Sequence, residues 1–293
     1  MAGAGLRDTR RRIRSIEATK KITRAMELIA ASRIPRAQAR VNASKPYTAK
    51  LVEVIENVGG AAGSSSHPLL ERRELARVGM VVVSSDRGLA GAYATNVIRL
   101  AERRMREHRR NGVEVLLFVV GKKAQSYFRY HGWTLRGTYL GVTDSPGYGD
   151  ARAIANAIMD AYGSAEIDAV ETFYTKFQSA FTQVPTAAEL LPITPPTTEG
   201  GSGGGPKADY SYEPSPAVIL DRLLPRYVEA TVFNMLLEAS ASEHSARRRA
   251  MKAATDNAEE LIRILTVQAN RARQAEITTA ITEIVGGAEA LKG

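Results

Sequence analysis

The chain has 293 residues, 44% of them hydrophobic, 24% charged and 6% aromatic, with a formal net charge of +9 and no cysteine. This composition fits a soluble globular class with room for one large domain or two ordinary ones. The missing thiols exclude disulfides, thiolate nucleophiles and cysteine metal sites. No apolar run approaches the roughly 20 residues of a membrane-spanning helix, and the N-terminus lacks the apolar stretch of a signal peptide, so the protein is expected to stay in the cytoplasm.

Residues 1–60 predict the first helical element. Neither glycine nor proline occurs from Leu6 to Ile34, and Leu6, Ile13, Ile16, Met26 and Ile29 recur at spacings of three, seven or ten, a narrow stripe of the coiled-coil kind. Pro35 and Pro46 are expected to bend this helix before it ends near Gly59 and Gly60. Its first forty residues hold eleven Lys and Arg against Asp8, Glu17 and Glu27. Such an excess calls for an acidic partner surface, whether nucleic acid, anionic lipid or protein.

Residues 76–195 alternate strand and helix signals. Val78–Val83 and Val115–Val120 are short β-branched runs suited to strands buried on both faces, and 169–174 and 187–191 read as further strands. Residues 92–110, 122–130 and 151–162 read as helices. The alternation predicts an open α/β sheet of the Rossmann-like kind. Residues 196–214 open as a Gly/Ser-rich linker, and 215–293 form the last block, with Ser215 and Pro216 as N-cap and first-turn residue. Pro225 is expected to kink or restart that helix, which then runs without Gly or Pro from Arg226 to Val285. Its stripe of Ala258, Ile262, Leu265, Ala269 and Ala272 resumes one residue late at Ile277, Ile281 and Ile284, which predicts a loose supercoil. The expected architecture is therefore an α/β head with a long antiparallel coiled coil of the N- and C-terminal helices.

Signatures of catalysis are sparse. Gly121-Lys122 lacks the earlier glycine and the following Ser or Thr of a P-loop, and His67, His108, His131 and His244 have no metal-ligand spacing. The SDRGLAG run at 85–91 lies between a predicted strand and a predicted helix, where α/β sheets present ligands. Its head-loop residues Asp86, Arg87, Gly88 and Gly91 form either a ligand loop or a tight turn, the turn being the leading expectation. Arg247, Arg248 and Arg249 are expected on a solvated helix face.

Three stretches together carry a family resemblance: IEATKKITRAMELIAAS at 16–32, SDRGLAG at 85–91, and the C-terminal SEHSARRRAMKAATDNAEELI at 242–262 with NRARQ at 270–274 and ITTAITEIVGGAEA at 277–290. In that order they resemble the gamma subunit of F-type ATP synthases. The resemblance implies a non-catalytic rotor without a cofactor, standing in a ring of alternating alpha and beta subunits, docking an epsilon subunit and meeting a membrane c-ring, peripheral on the cytoplasmic face of the cell membrane. It implies beta-subunit contacts at Lys20, Lys21, Arg24, Met26, Arg273, Gln274 and Thr278, and c-ring contacts at the foot at Tyr210, Tyr212 and Glu213. Three positions depart from the family pattern: Ala280 where Glu is usual, Ala90 where Cys is frequent, and Pro35 in place of a helix former. Two other readings stand beside the resemblance. A basic coiled coil binding nucleic acid is disfavoured because few aromatics interleave the basic residues, and an α/β enzyme rests on SDRGLAG alone.

Overall fold

The computed structural model describes residues 2–62, 67–194 and 215–290. Two compact bodies are present: residues 32–246, and the terminal segments 1–31 and 247–293 together. In chain order the elements are helix α1 (Ala2–Ala62), a 3-10 turn (Pro68–Leu70), β1 (Arg77–Val83), α2 (Tyr93–Arg110), β2 (Glu114–Val120), α3 (Lys122–Tyr130), β3 (Leu135–Tyr139), α4 (Tyr148–Gly163), β4 (Ala169–Phe177), β5 (Gln183–Leu191) and α5 (Pro216–Ala290).

In the larger body the five strands form one sheet in the order β3-β2-β1-β4-β5. The β1, β2, β3 and β4 pairings are parallel, and β5 returns antiparallel on β4. Side chains alternate across a strand, so the continuous run Val78–Val83 serves both faces of the central strand. Val78, Met80 and Val82 pack with Val97, Ala101 and Met105 of α2 and Phe128 of α3. Val81 and Val83 face the other way, into a core shared with Ile154 and Ile158 of α4, Ile55 and Val58 of α1, and Leu224, Val228 and Val232 of α5. The sheet therefore holds the lower parts of both long helices by apolar burial, the dominant stabilising term in such a layer. Within the first layer, Glu171 of β4 takes hydrogen bonds from Arg104 at 2.7 Å and meets His108 Nε2 at 3.1 Å. Burial pushes the Glu171 carboxyl up, but the Arg104 and His108 hydrogen bonds outweigh burial and hold it below the usual carboxylate range.

The smaller body is built from the two chain ends. Its register is fixed by a 2.8 Å hydrogen bond between the hydroxyls of Thr23 and Thr255 and a 2.8 Å ion pair between Lys20 and Glu259, so the segments run antiparallel. The positions that line the seam are Leu6, Thr9, Ile13, Ile16, Lys20, Thr23, Glu27 and Ala30 on α1, and Met251, Thr255, Ala258, Ile262, Leu265, Ala269, Ala272 and Glu276 on α5; Met26, Ala250 and Ala254 are half covered beside it. Both sets step by three and four without a break, a period of 3.5. Carried along from the Thr23–Thr255 bond, that register sets Ile16 level with Ile262 and Leu6 level with Ala272. The same spacing continues inside the larger body at Ile34, Ala37, Val41, Ser44, Thr48, Leu51, Ile55 and Val58.

Several expectations need correction. Ile29 is 54% exposed, and Ala30 takes the inner position instead. Pro35 and Pro46 lie inside an uninterrupted α1, and Pro225 lies inside an uninterrupted α5. Pro35 is on the outer face, where α1 shows exposed residues. The half-step after Ala272 does not loosen a seam: Glu276 continues the covered spacing, while Ile277, Ile281, Ile284 and Val285 are all at least half exposed. Of the three arginines expected on a solvated face, Arg247 is buried. Strand β3 was missed altogether, since Arg136 and Gly137 interrupt any β-branched run there.

Candidate functional site

The candidate partner surface of the smaller body grows directly from its seam. Once every third or fourth residue turns inward, the basic side chains between them have nowhere to go but outward. Lys21 and Arg24 are exposed, Lys20 lies at the margin of the seam on Glu259, and Met26 is half covered. Arg24 Nη1 also donates at 2.9 Å to Glu27, whose carboxylate lies within the seam. One carboxylate thus tempers one guanidinium, while Lys21 faces water beside it.

Arg273, Gln274 and Thr278 are exposed on α5, and the Thr278 carbonyl accepts the Thr282 hydroxyl at 2.9 Å. They do not join the first group. In the observed register Lys20–Met26 stand level with residues 252–258, so the two groups are separated by about 20 residues, roughly 30 Å along the helix. The beta-contact residues that the resemblance names therefore fall into two separate groups. Ala280, the departure from the family pattern, lies in the exposed stretch. Tyr210, Tyr212 and Glu213 lie outside the described residues.

Head loop 84–92 does join strand β1 to helix α2, as its position in the sequence predicts. Leu89 and Gly91 turn it through positive φ values of 63° and 58°. Asp86 points into the body. Its carboxylate accepts the Lys122 amide at the start of α3 (3.1 Å) and both the amide (3.2 Å) and hydroxyl (3.1 Å) of Thr143, while the Asp86 amide donates back to that hydroxyl at 3.1 Å. Asp86 therefore ties the ends of three strands together, and the turn reading of this motif accounts for its buried half. Arg87 and Gly88 are exposed on its rim. Replacing Asp86 with Ala leaves the Thr143 and Lys122 amides short of an acceptor, and a loss of roughly 2 kcal/mol in unfolding free energy is expected. Urea unfolding of the full chain measures it, with Asp86→Asn retaining part of the stability.

Sequence reasoning missed Thr23, Glu27 and Ala30 as inner residues and Thr143 as the partner of Asp86. The first three were recoverable from strict three-and-four spacing. Thr143 had no local signal, because its partner is 57 residues away in the chain.

Fold and register together define a class, an α/β protein whose terminal helical segments pair antiparallel. Comparison with known proteins narrows it. The family model described as ATP synthase matches residues 5–291. The chain is 49% identical over 296 residues to the ATP synthase gamma chain of Frankia casuarinae, with 99% of each covered. It is 45% identical over 305 residues to that of Mycolicibacterium smegmatis, again with 99% of each covered. Among solved structures, a chain of the Tetrahymena thermophila mitochondrial ATP synthase central stalk and c-ring aligns with TM-score 0.60 at 23% identity, over 80% of this chain and 99% of that one. A chain of the Euglena gracilis OSCP/F1/c-ring assembly aligns with TM-score 0.68 at 16% identity, over 99% and 95%; these two show a shared fold. The chain belongs to the ATP synthase gamma chain family.

Proposed function

We propose that this chain is the central-stalk rotor subunit of a proton-translocating F-type ATP synthase. It transmits torque between the membrane c-ring and the catalytic beta subunits, and so regulates ATP turnover and proton flow. The observation that carries the reading is the antiparallel register of the chain ends around Thr23 and Thr255, with basic side chains left facing outward. Solved neighbours described as a central stalk with its c-ring support it.

In this reading the two segments form a coiled coil inside a ring of alternating alpha and beta subunits, where the bond-making chemistry takes place. Lys20, Lys21, Arg24 and Met26 meet an acidic loop of beta, and Arg273, Gln274 and Thr278 meet a second loop further along. The separation of the two zones lets each report on a different height of the ring. A shaft of this kind acts as a differential ligand: it stabilises a different beta conformation at each angle, and only that difference shifts nucleotide affinity. Tyr210, Tyr212 and Glu213 meet the c-ring, and the α/β body docks epsilon, which places the protein peripherally on the cytoplasmic face of the membrane. None of the described helices is long and apolar enough to cross it.

The test is truncation. A chain ending at Arg271 keeps nearly all of the paired register and loses Arg273, Gln274 and Thr278. It is expected to assemble with alpha and beta at close to normal yield while proton-driven ATP synthesis in membrane vesicles falls several-fold. Unchanged synthesis removes the role given to those three residues.

A further inference from the structure

Apolar packing holds α5 to the larger body from Leu220 to Ala239, and a small cluster of Val41, Phe177, Leu237 and Ala241 extends it slightly. Near the limit of that body, at Ser32 on α1 and Ala246 on α5, lies a cavity of about 220 Å³. Its walls include Arg33 and Arg40 of α1, Ser240 and His244 of α5, and Asp144 and Ser145 of the loop between β3 and α4.

Polar bonds span this gap. Arg33 Nη1 donates to both carboxylate oxygens of Asp144 at 2.7 Å. The Asp144 carbonyl accepts the Ser240 hydroxyl at 3.1 Å and lies 3.2 Å from His244 Nε2. Arg40 donates to the Ser145 hydroxyl at 3.2 Å and to the Pro146 carbonyl. One residue earlier, Thr143 is held by Asp86. Residues 143–146 are thus gripped from three sides, by α1, by α5 and by the head loop. Charge-assisted bonds of this kind are directional and set orientation as well as distance. They act beside a helix segment, residues 240–245, that is itself buried.

We propose that Asp144 is a positioning residue, a torsional lock that keeps the α/β body in step with α1 and α5 as they turn. The proposal rests on the rotor reading above. It gives Asp86 a second-order role, since bracing Thr143 fixes the loop from which Asp144 reaches the helices. Apolar burial tolerates small sliding displacements; the Asp144 bonds oppose twist, and they reach α1 as well as α5, whereas the bonds of Tyr93, Tyr148 and Thr175 reach α5 alone.

The experiment uses the complete membrane complex and reads protons pumped per ATP hydrolysed. Asp144→Asn and Arg33→Gln are each expected to lower that ratio roughly threefold, with ATP hydrolysis itself retained. Exchanging the partners, Arg33→Asp with Asp144→Arg, is expected to restore most of the ratio. A second route uses the absence of native cysteine: Arg33→Cys with Asp144→Cys is expected to lose coupling until a short bis-maleimide joins the pair, and then to regain it. A normal ratio in both single variants overturns the lock, as does a cross-linked chain no better coupled than the unlinked one. Failure of the wild-type chain to support pumping overturns the rotor reading instead, and the lock falls with it.

Discussion

Replacing Gly121 with Val is expected to cost about 3–5 kcal/mol of unfolding free energy, enough to leave a domain of this size largely unfolded on mild heating. Gly121 joins β2 to α3 at φ 96°, and a Cβ there would stand 2.9 Å from the Ser84 carbonyl oxygen. The obstacle is backbone, and that backbone is pinned on both sides: the Ser84 amide donates to the Val120 carbonyl and the Lys123 amide to the Ser85 carbonyl, both at 2.9 Å. Neither can withdraw without opening the junction from which Asp86 braces the head loop. Gly112 supplies the contrast. It has a similar φ of 76°, but a Cβ there would meet nothing within 4 Å, so Gly112→Ala is expected to cost only the left-handed backbone term, about 1–2 kcal/mol. Thermal unfolding of the two full-length variants separates the contributions. Equal losses would mean that the close approach at Gly121 contributes nothing.

The second large effect is electrostatic. Lys21→Glu with Arg24→Glu places two negative charges where the rotor reading puts an acidic loop of beta, and like-charge juxtaposition across an interface costs several kcal/mol. Proton-driven ATP synthesis by the assembled complex is expected to fall roughly tenfold or more, since each 1.4 kcal/mol is a factor of ten. The free chain is expected to lose less. Lys21 is exposed, but Arg24 pairs with Glu27, whose side chain is only 10% exposed. The reversal at 24 therefore leaves a covered carboxylate beside a like charge and costs the free chain about 1 kcal/mol or more; Lys21→Glu alone avoids that cost. Lys20 is left alone because it anchors Glu259 across the seam. Synthesis within twofold of normal would remove the contact assigned to this face.

Much of the fold was legible because its signals are local. The β-branched runs at Val78–Val83 and Val115–Val120 gave two parallel strands, and the empty stretch of helix breakers gave α5. The helical stripe was harder to read. Ile29 is more apolar than Ala30, and composition alone chose wrongly; the helices approach through small and polar residues such as Ala30, Thr23 and Ala258, which a search for large hydrophobics passes over. The prolines interrupt neither long helix, and Pro225 does not restart α5. A proline's missing hydrogen bond is a local cost of a few kcal/mol, and burial along α1 at Ile34, Val41, Leu51 and Ile55 outweighs it. Long-range side-chain partners left no trace. Nothing near Asp86 announces Thr143, and nothing near Arg33 announces Asp144, 111 residues on. The family resemblance identified the basic residues of the candidate site; their outward placement is a consequence of the seam.

The register also marks where the covered stripe of α5 stops. Counted from the Thr23–Thr255 bond, Ala2 stands level with Glu276, the last half-covered position among the described residues of α5. Beyond it Ile277, Ile281, Ile284 and Val285 are each at least half exposed and leave an apolar face on α5 uncovered. A lone helix of about 14 residues is marginal in water, and a bare apolar face favours unintended association. In the rotor reading that face has a use: the ring that receives the shaft covers it, so the same residues that burden the free chain serve the assembled one.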